Sequence, residues 1–124
     1  MQRTLLVAIG GLVGAVARYW LGGAAQRLGG DVFPTGTLAV NVAGSLLIGL
    51  VMTLSLERGL IEDDARILLT TGFCGGFTTM STFGWETLAL LREDQWLLAL
   101  GNAGLTLFGC VTAVWLGIAL ARIL

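Results

Sequence analysis

Long stretches without any charged residue dominate this sequence. Residues 32–56, 67–85 and 95–121 contain none, and residues 4–25 contain only Arg18. A helix needs about 20 apolar residues to cross the hydrocarbon core of a bilayer, so four crossings account for almost all of the 124 residues. The sequence lacks the alternation of polar and apolar residues that is typical of a membrane β-barrel. Helices are then the structure that can satisfy the backbone hydrogen bonds in lipid. We therefore predict an all-α integral membrane protein, with one four-helix domain over residues 1–124.

The breaks between the apolar stretches predict four helices at about 4–25, 34–56, 65–91 and 95–121. Pro34, the only proline, suits the first turn of the second helix because that turn does not need its backbone N–H. The acidic stretch at 62–64 lies just before the third helix, where negative charge complements a helix N-terminus. The loops between the helices are short.

Composition excludes several classes of function. Charged residues make up 12 % of the chain, about half the usual fraction of a soluble domain. The net charge of −1 and the absence of lysine and histidine leave no basic face, so nucleic acid is not an expected partner. Cys74 and Cys110 lie at membrane depth without metal-ligand spacing, and we expect no disulfide between them. No pairing of a nucleophile with a base is evident, so we do not expect an enzyme.

The arginines give only a small orientation bias. With both termini on one side, four fall on the terminal side and two on the other: Arg3, Arg58, Arg66 and Arg122 against Arg27 and Arg92. Positive charge favours the cytoplasmic side, so the bias mildly favours termini inside. It also permits insertion in both orientations, and hence an antiparallel pair. Insertion in a single fixed orientation remains an alternative interpretation of the same arginines.

Polar side chains form two stripes at helical spacing, because residues four apart share a helix face. The second helix carries Thr37, Asn41 and Ser45, and the fourth carries Asn102, Thr106 and Cys110. Such stripes either hold helices together through hydrogen bonds or line a solute pathway, and the spacing does not choose between these. The glycines of the first and fourth helices, Gly10, Gly14, Gly101, Gly104, Gly109 and Gly117, are typical of close helix packing.

Two ionisable residues lie inside predicted spans. Arg18 costs at least a few kcal/mol there unless it is paired or hydrated. It either snorkels to the interface or forms an electropositive vestibule that attracts anions. Glu86 is the only embedded acid. It can pair with Arg18, end a polar path or carry protons.

The segment GFCGGFTTMSTF, residues 72–83, combines three glycines with four hydroxyl side chains inside the third span. Glycine weakens a helix, so we predict a break near 75–79. Unpaired backbone at membrane depth is tolerated only where it is buried in protein or lines a wet cavity. Freed carbonyls can hold a cation, and freed amides and hydroxyls can hold an anion.

Three segments, in order, resemble the signatures of the Fluc family of fluoride channels, also called CrcB proteins: GGLVGAVARY (10–19), PTGTLAVNVAGSLLIG (34–49) and GFCGGFTTMSTF (72–83). The resemblance covers essentially the whole chain. It implies an antiparallel, dual-topology homodimer with two fluoride pores and a third helix broken in mid-membrane. It also implies one structural Na⁺ at the two-fold axis, held by backbone carbonyls that correspond to Gly75 and Thr78.

The resemblance implies a fluoride-selective channel in a bacterial inner membrane. Fluoride would leave the cytoplasm passively through this channel, and the cell would be protected from fluoride toxicity. The matching pathway residues are Asn41 as a donor to fluoride, Phe83 as a ring-edge contact, and a polar track of Ser81, Thr82, Thr106, Cys110, Asn102 and Glu86. Arg18 matches the arginine of an aqueous vestibule.

Position 80 departs from the family pattern, because Met80 stands where the family has a second phenylalanine. A thioether is soft and at best a weak acceptor, so it cannot present the positive edge of an aromatic ring. We expect Met80 to line the pore nonetheless, with altered conduction. Phe77 does not match the family pair of phenylalanines.

Two other interpretations remain. A small proton-coupled multidrug antiporter is also a four-helix dual-topology dimer, but its signature is an embedded acid in the first helix. This chain has Arg18 there, which repels cations. A structural subunit of a larger membrane complex would use the polar stripes only to hold helices together.

Overall fold

A computed structural model describes all residues 1–124, and all of its regular structure is helical. The elements are α1 (Gln2–Gly29), α2 (Thr35–Leu56), α3 (Asp63–Ile67), a π-helical segment (Leu68–Cys74), α4 (Gly75–Phe77), α5 (Met80–Arg92) and α6 (Trp96–Ile123). Each of α1, α2 and α6 is long and apolar enough to cross a membrane. The third crossing is assembled from the pieces between Asp63 and Arg92, called here the third span. The chain is thus a multi-pass membrane protein.

The predicted break in the third span is confirmed. Thr78 (φ −88°, ψ 162°) and Thr79 (φ −154°, ψ 111°) are extended, and the helix resumes at Met80. The break divides the span into a first half, 63–77, and a second half, α5. It begins two residues after the glycine pair at 75–76, which is still helical.

The first half of the third span packs against α1 through glycine. A side chain at Gly10 or Gly14 would overlap the backbone of the π-helical segment, and one at Gly76 would overlap the backbone of Gly11. Such close approach of backbones is the usual role of small residues between membrane helices. The predicted packing roles of Gly10 and Gly14 are therefore confirmed.

α2 lies at the centre of the bundle, in contact with every other element, whereas α1 and α6 do not touch. It approaches α6 through Gly49 and Gly117, whose added side chains would overlap the opposite backbone. The expected close packing is wrong for Gly101 and Gly104 within this chain, because nothing lies within 4 Å of a Cβ at either. Those two glycines face away from the bundle.

Side-chain hydrogen bonds fasten the ends of the helices. Gln26 Nε2 donates to the carbonyls of Gly30 and Phe33, and its Oε1 accepts from the Gly36 N–H, which fixes the α1–α2 connection. On the terminal side, Arg122 donates two hydrogen bonds to the Glu57 carboxylate. These bonds hold the pKa of the Glu57 carboxyl below its usual range.

Candidate functional site

A groove of about 650 Å³ lies where α2, the third span and α6 meet at the break. We call it the central groove. Seven of the residues predicted to form the fluoride pathway or the sodium site line it together: Asn41, Gly75, Thr78, Met80, Phe83, Thr106 and Cys110. The break therefore gathers residues from three separate spans into one partly polar space within an apolar bundle.

Asn41 holds the break from the side of α2. Its Nδ2 donates to the Thr79 carbonyl at 3.1 Å, and its Oδ1 accepts from the Thr79 N–H at 2.7 Å. Asn41 is 7 % exposed, and Thr79 is buried too. An amide nitrogen carries two N–H groups, so one remains after the bond to Thr79. The residue therefore both stabilises the extended backbone and retains a donor beside the groove.

The break withdraws helical donors from two carbonyls in particular. In a continuous helix the N–H of residue i bonds the carbonyl of residue i−4. The Thr79 N–H, which would bond the Gly75 carbonyl, donates to Asn41 instead. The Thr82 N–H, which would bond the Thr78 carbonyl, donates to Thr79 Oγ1. Gly75 and Thr78, the two residues matched to a sodium site, thus carry the carbonyls that lose these donors.

Arg18 approaches the break from the side of α1. Its Nη1 donates to the Thr78 carbonyl at 3.3 Å. Pairing of Arg18 with Glu86, one of the interpretations open from the sequence, is not found: the ion pairs of the chain are Arg3–Asp64, Asp63–Arg66 and Glu57–Arg122. The guanidinium instead satisfies a backbone carbonyl that the break leaves without its helical donor.

Thr79 lies at the centre of the site and was missed by the sequence interpretation. Its hydroxyl accepts from the Thr82 N–H at 3.2 Å and donates to Thr82 Oγ1 at 2.9 Å, so it caps the N-terminus of α5. Threonine is a favoured N-cap residue, and that preference was the available signal. Ser81 Oγ lies 3.3 Å from the same hydroxyl. Ser81 and Thr82 are exposed and lie outside the lining of the central groove.

Glu86 belongs to a different cavity. Its Oε1 accepts from Thr37 Oγ1 at 2.8 Å, and its Oε2 is buried without a partner. It lines a space of about 490 Å³ together with Gln26, Asp31 and Glu93, which we call the outer cavity. Thr37 and Asn41 lie one turn apart on α2, so this helix face leads from the central groove toward the outer cavity.

Asn102 does not line the central groove. It is 1 % exposed, and its Nδ2 donates to Thr87 Oγ1 at 3.0 Å, which ties α6 to α5. Its Oδ1 has no hydrogen-bond partner, and neither has Thr106 Oγ1 one turn later. Thr106 is 8 % exposed and does line the groove.

The two aromatic candidates near the break have different surroundings. Phe83 lines the central groove. Phe77 is 5 % exposed and stacks on Phe73, with ring centroids 5.3 Å apart. It is not among the groove residues, so it cannot stand in for the ring missing at Met80. Met80 itself is 74 % exposed at the edge of the groove.

Comparison with known proteins gives one consistent result. Residues 5–118 match the model of the family described as CrcB-like protein, Camphor Resistance (CrcB). The chain is 43 % identical to a protein of Geotalea uraniireducens over 124 residues, which cover all of both chains. It is 46 % identical to one from Geobacter sulfurreducens over 122 residues and 98 % of each chain. Both relatives are named fluoride-specific ion channel FluC.

Proposed function

Because the chain belongs to the CrcB family, we propose that it forms a fluoride-selective ion channel through which fluoride leaves the cytoplasm passively, down its electrochemical gradient. One observation carries this conclusion: end-to-end similarity, at 43 % and 46 % identity, to proteins named fluoride-specific ion channels. The central groove is consistent with this function, because it exposes hydrogen-bond donors and a ring around a helix break at membrane depth.

Fluoride is small and strongly hydrated, so a channel must replace its water with hydrogen-bond donors while binding weakly enough for release. The remaining N–H of Asn41 supplies one such donor. The Thr106 hydroxyl has no partner within the chain and supplies another. Phe83 offers the positive edge of its ring. Chloride is larger, and a narrow passage lined by donors excludes it.

The remaining residues of the polar track contact fluoride as it enters and leaves the central groove. The Thr82 hydroxyl accepts from Thr79, so its own proton is free for an anion beyond the groove, and Ser81 lies beside it. Cys110 continues the α6 stripe within the groove. Glu86 lies at the outer cavity and ends the track there. Asn102 does not contact fluoride in this proposal; its hydrogen bond to Thr87 holds α6 against α5.

A second copy of the chain completes the channel in this proposal. Met80 is 74 % exposed, and Gly75 is exposed with nothing within 4 Å of a Cβ. The groove and the freed carbonyl are therefore open to a partner. An antiparallel homodimer is compatible with the small arginine bias of four against two, since dual insertion requires that neither orientation be strongly favoured.

The carbonyls of Gly75 and Thr78 fit a structural Na⁺ between the two copies. Their helical donors are diverted to side chains, and oxygen ligands suit a hard cation. The Thr78 carbonyl also accepts from Arg18, but a carbonyl has two lone pairs. Bound there, the ion would supply positive charge that holds the two breaks together. Arg18 keeps its role of attracting anions toward the break.

Passive conduction is sufficient for protection in a bacterial inner membrane. Fluoride enters as neutral HF under acidic conditions and ionises inside. A negative interior then drives each fluoride outward by about 2.3 kcal/mol per 100 mV. The open pathway thus lowers cytoplasmic fluoride and its toxicity.

The test is flux through the purified chain in liposomes, read with fluoride and chloride electrodes. We expect rapid fluoride efflux and no chloride efflux, and equal passage of both ions, or of neither, would refute the channel. A cationic drug added under a proton gradient tests the antiporter alternative, which is disfavoured because α1 carries Arg18 in place of an embedded acid. Drug accumulation without fluoride efflux would support that alternative.

A further inference from the structure

Three sulfur-containing side chains from three different elements line the central groove. Cys74 comes from the π-helical segment, Met80 from α5 and Cys110 from α6. They differ in accessibility: Met80 is 74 % exposed and Cys110 is partly exposed, whereas Cys74 is 3 % exposed. The Cys74 thiol also lies 3.8 Å from the Gly44 carbonyl, to which it donates. Met80 and Cys110 are therefore the two accessible sulfur ligands.

A second observation at the same place points to a ligand. Thr106 is 8 % exposed, lines the groove, and has no partner for its Oγ1. It lies one turn before Cys110 on α6, so both side chains share one helix face. A buried hydroxyl without a partner is costly unless a ligand in the groove satisfies it. Its proton can serve fluoride, as proposed above, and its oxygen lone pairs can serve a cation.

We propose that Met80 and Cys110 form a binding site for a soft monovalent metal cation, Ag⁺ or Cu⁺, within the central groove. Thiolate and thioether sulfurs are the ligands that select such cations over hard ones. On binding, the Cys110 S–H bond breaks, its proton passes to water and a sulfur–metal bond forms. Met80 adds a sulfur lone pair and Thr106 a weaker oxygen contact. No electron is transferred.

The site has a consequence that rests on the proposed function. Asn41 and Phe83 line the same groove, so a metal held by Met80 and Cys110 would occupy the space through which fluoride passes. Silver should therefore block fluoride flux. The block depends on the methionine that distinguishes this chain from the family pattern at position 80.

Metal binding is tested first, without any transport. The purified chain in detergent is dialysed against silver nitrate in chloride-free buffer, because silver chloride is insoluble, and bound silver is measured by mass spectrometry. We expect about one Ag⁺ per chain, and at least about tenfold weaker binding in Cys110→Ser, the size of loss usual when a metal site is disturbed. Met80→Leu, which keeps the volume without the sulfur, should also bind more weakly. Cys74→Ser should bind as the parent does.

Unchanged affinity in Cys110→Ser, or an equal loss in Cys74→Ser, would overturn the site. If Cys110→Ser fails to assemble, the folded Cys74→Ser protein is alkylated with N-ethylmaleimide, which can then react only with Cys110. Silver binding must disappear after that treatment, and its persistence would equally refute the proposal.

Blocking is tested second, as fluoride efflux from liposomes in nitrate buffer with and without silver, each variant compared with its own metal-free rate. We expect block in the parent and in Cys74→Ser, and resistance in Met80→Leu and Cys110→Ser. Silver binding without block would overturn the placement of the site in the ion path. Absence of fluoride flux from metal-free parent protein would instead refute the channel and leave the binding result standing.

Discussion

Asn41 and Thr79 form a closed pair of hydrogen bonds across the break, with Nδ2 donating to the Thr79 carbonyl at 3.1 Å and Oδ1 accepting from its N–H at 2.7 Å. One side-chain amide thus replaces the helical bond that the Thr79 N–H would otherwise make and gives the Thr79 carbonyl a further donor. The pair is buried, where an unpaired amide or carbonyl costs about 1–3 kcal/mol. The break is consequently a fixed feature of the bundle, and residues around it are held in defined positions.

Asn41→Asp should abolish fluoride flux. A carboxylate accepts from the Thr79 N–H but cannot donate to the Thr79 carbonyl or to fluoride, and its charge repels the anion. We expect at least about a tenfold loss of flux, the factor that corresponds to ~1.4 kcal/mol at the barrier. Fluoride efflux from liposomes measures it.

Asn41→Ala is the matched comparison, since it removes the donors without adding charge. Flux should fall there too, by less than in Asn41→Asp. Gel filtration of both variants checks that the protein still assembles. Parental flux in assembled Asn41→Asp would remove the role of this amide as a donor to fluoride.

Thr79→Val should destabilise the protein by about 1 kcal/mol, the usual cost of losing an N-cap side chain. Valine has the same shape as threonine but cannot accept from the Thr82 N–H, a bond of 3.2 Å in the parent. Thr79→Ser keeps a capping hydroxyl and should remain close to parental stability. Thermal unfolding in detergent measures both. Equal stability of the two variants would show that the cap at the start of α5 contributes nothing.

Met80→Phe should conduct fluoride at the parental rate or faster. It restores a ring whose positive edge can face the anion, at a position 74 % exposed beside the groove. Met52→Phe is the control, because Met52 is also partly exposed but lies outside the central groove. A loss of flux in Met80→Phe with parental flux in Met52→Phe would show that the groove of this chain is adapted to the thioether.

Removal of sodium should weaken the assembled channel if the carbonyls of Gly75 and Thr78 hold Na⁺ between two copies. Those carbonyls would then repel one another across the interface, because their helical donors are diverted to side chains and only the Thr78 carbonyl has a replacement, the Arg18 guanidinium. Gel filtration and fluoride efflux after exhaustive exchange of Na⁺ for N-methylglucamine measure assembly and flux. Parental assembly and flux in the exchanged protein would count against the site, and restoration by Na⁺ alone would support it.

The four spans and the interrupted third span were predictable from sequence because they depend on local properties. Charge-free stretches determine which residues can enter a bilayer. The glycines at 72, 75 and 76 weaken the helix in the middle of the third span and so indicate where it can break. The position of the break was predicted only to within a few residues. It falls at Thr78 and Thr79 rather than at the glycines because a partner from α2, Asn41, is available there.

The partners of the polar residues were less predictable because they depend on tertiary contacts. A stripe at spacing four places Asn102 and Thr106 on one face, yet only Thr106 reaches the groove, while Asn102 is 1 % exposed and bonds Thr87. The charges of Arg18 and Glu86 suggested a pair, whereas the freed Thr78 carbonyl and the Thr37 hydroxyl are their actual partners. The sequence predicted freed carbonyl groups near the break, but it did not predict that Arg18 would donate to one of them.

Gly14→Ala should destabilise the bundle by about 1–3 kcal/mol, the usual cost of forcing extra atoms into a packed interface. A methyl group there would overlap the Phe73 carbonyl, so α1 would have to separate from the third span. Gly104→Ala is the matched control on α6, where nothing lies within 4 Å of an added Cβ. Alanine favours a helix over glycine by up to ~1 kcal/mol, so Gly104→Ala should be neutral or slightly stabilising. Thermal unfolding in detergent compares the two, and similar losses in both would contradict the assignment of Gly14, but not Gly104, to close packing within the chain.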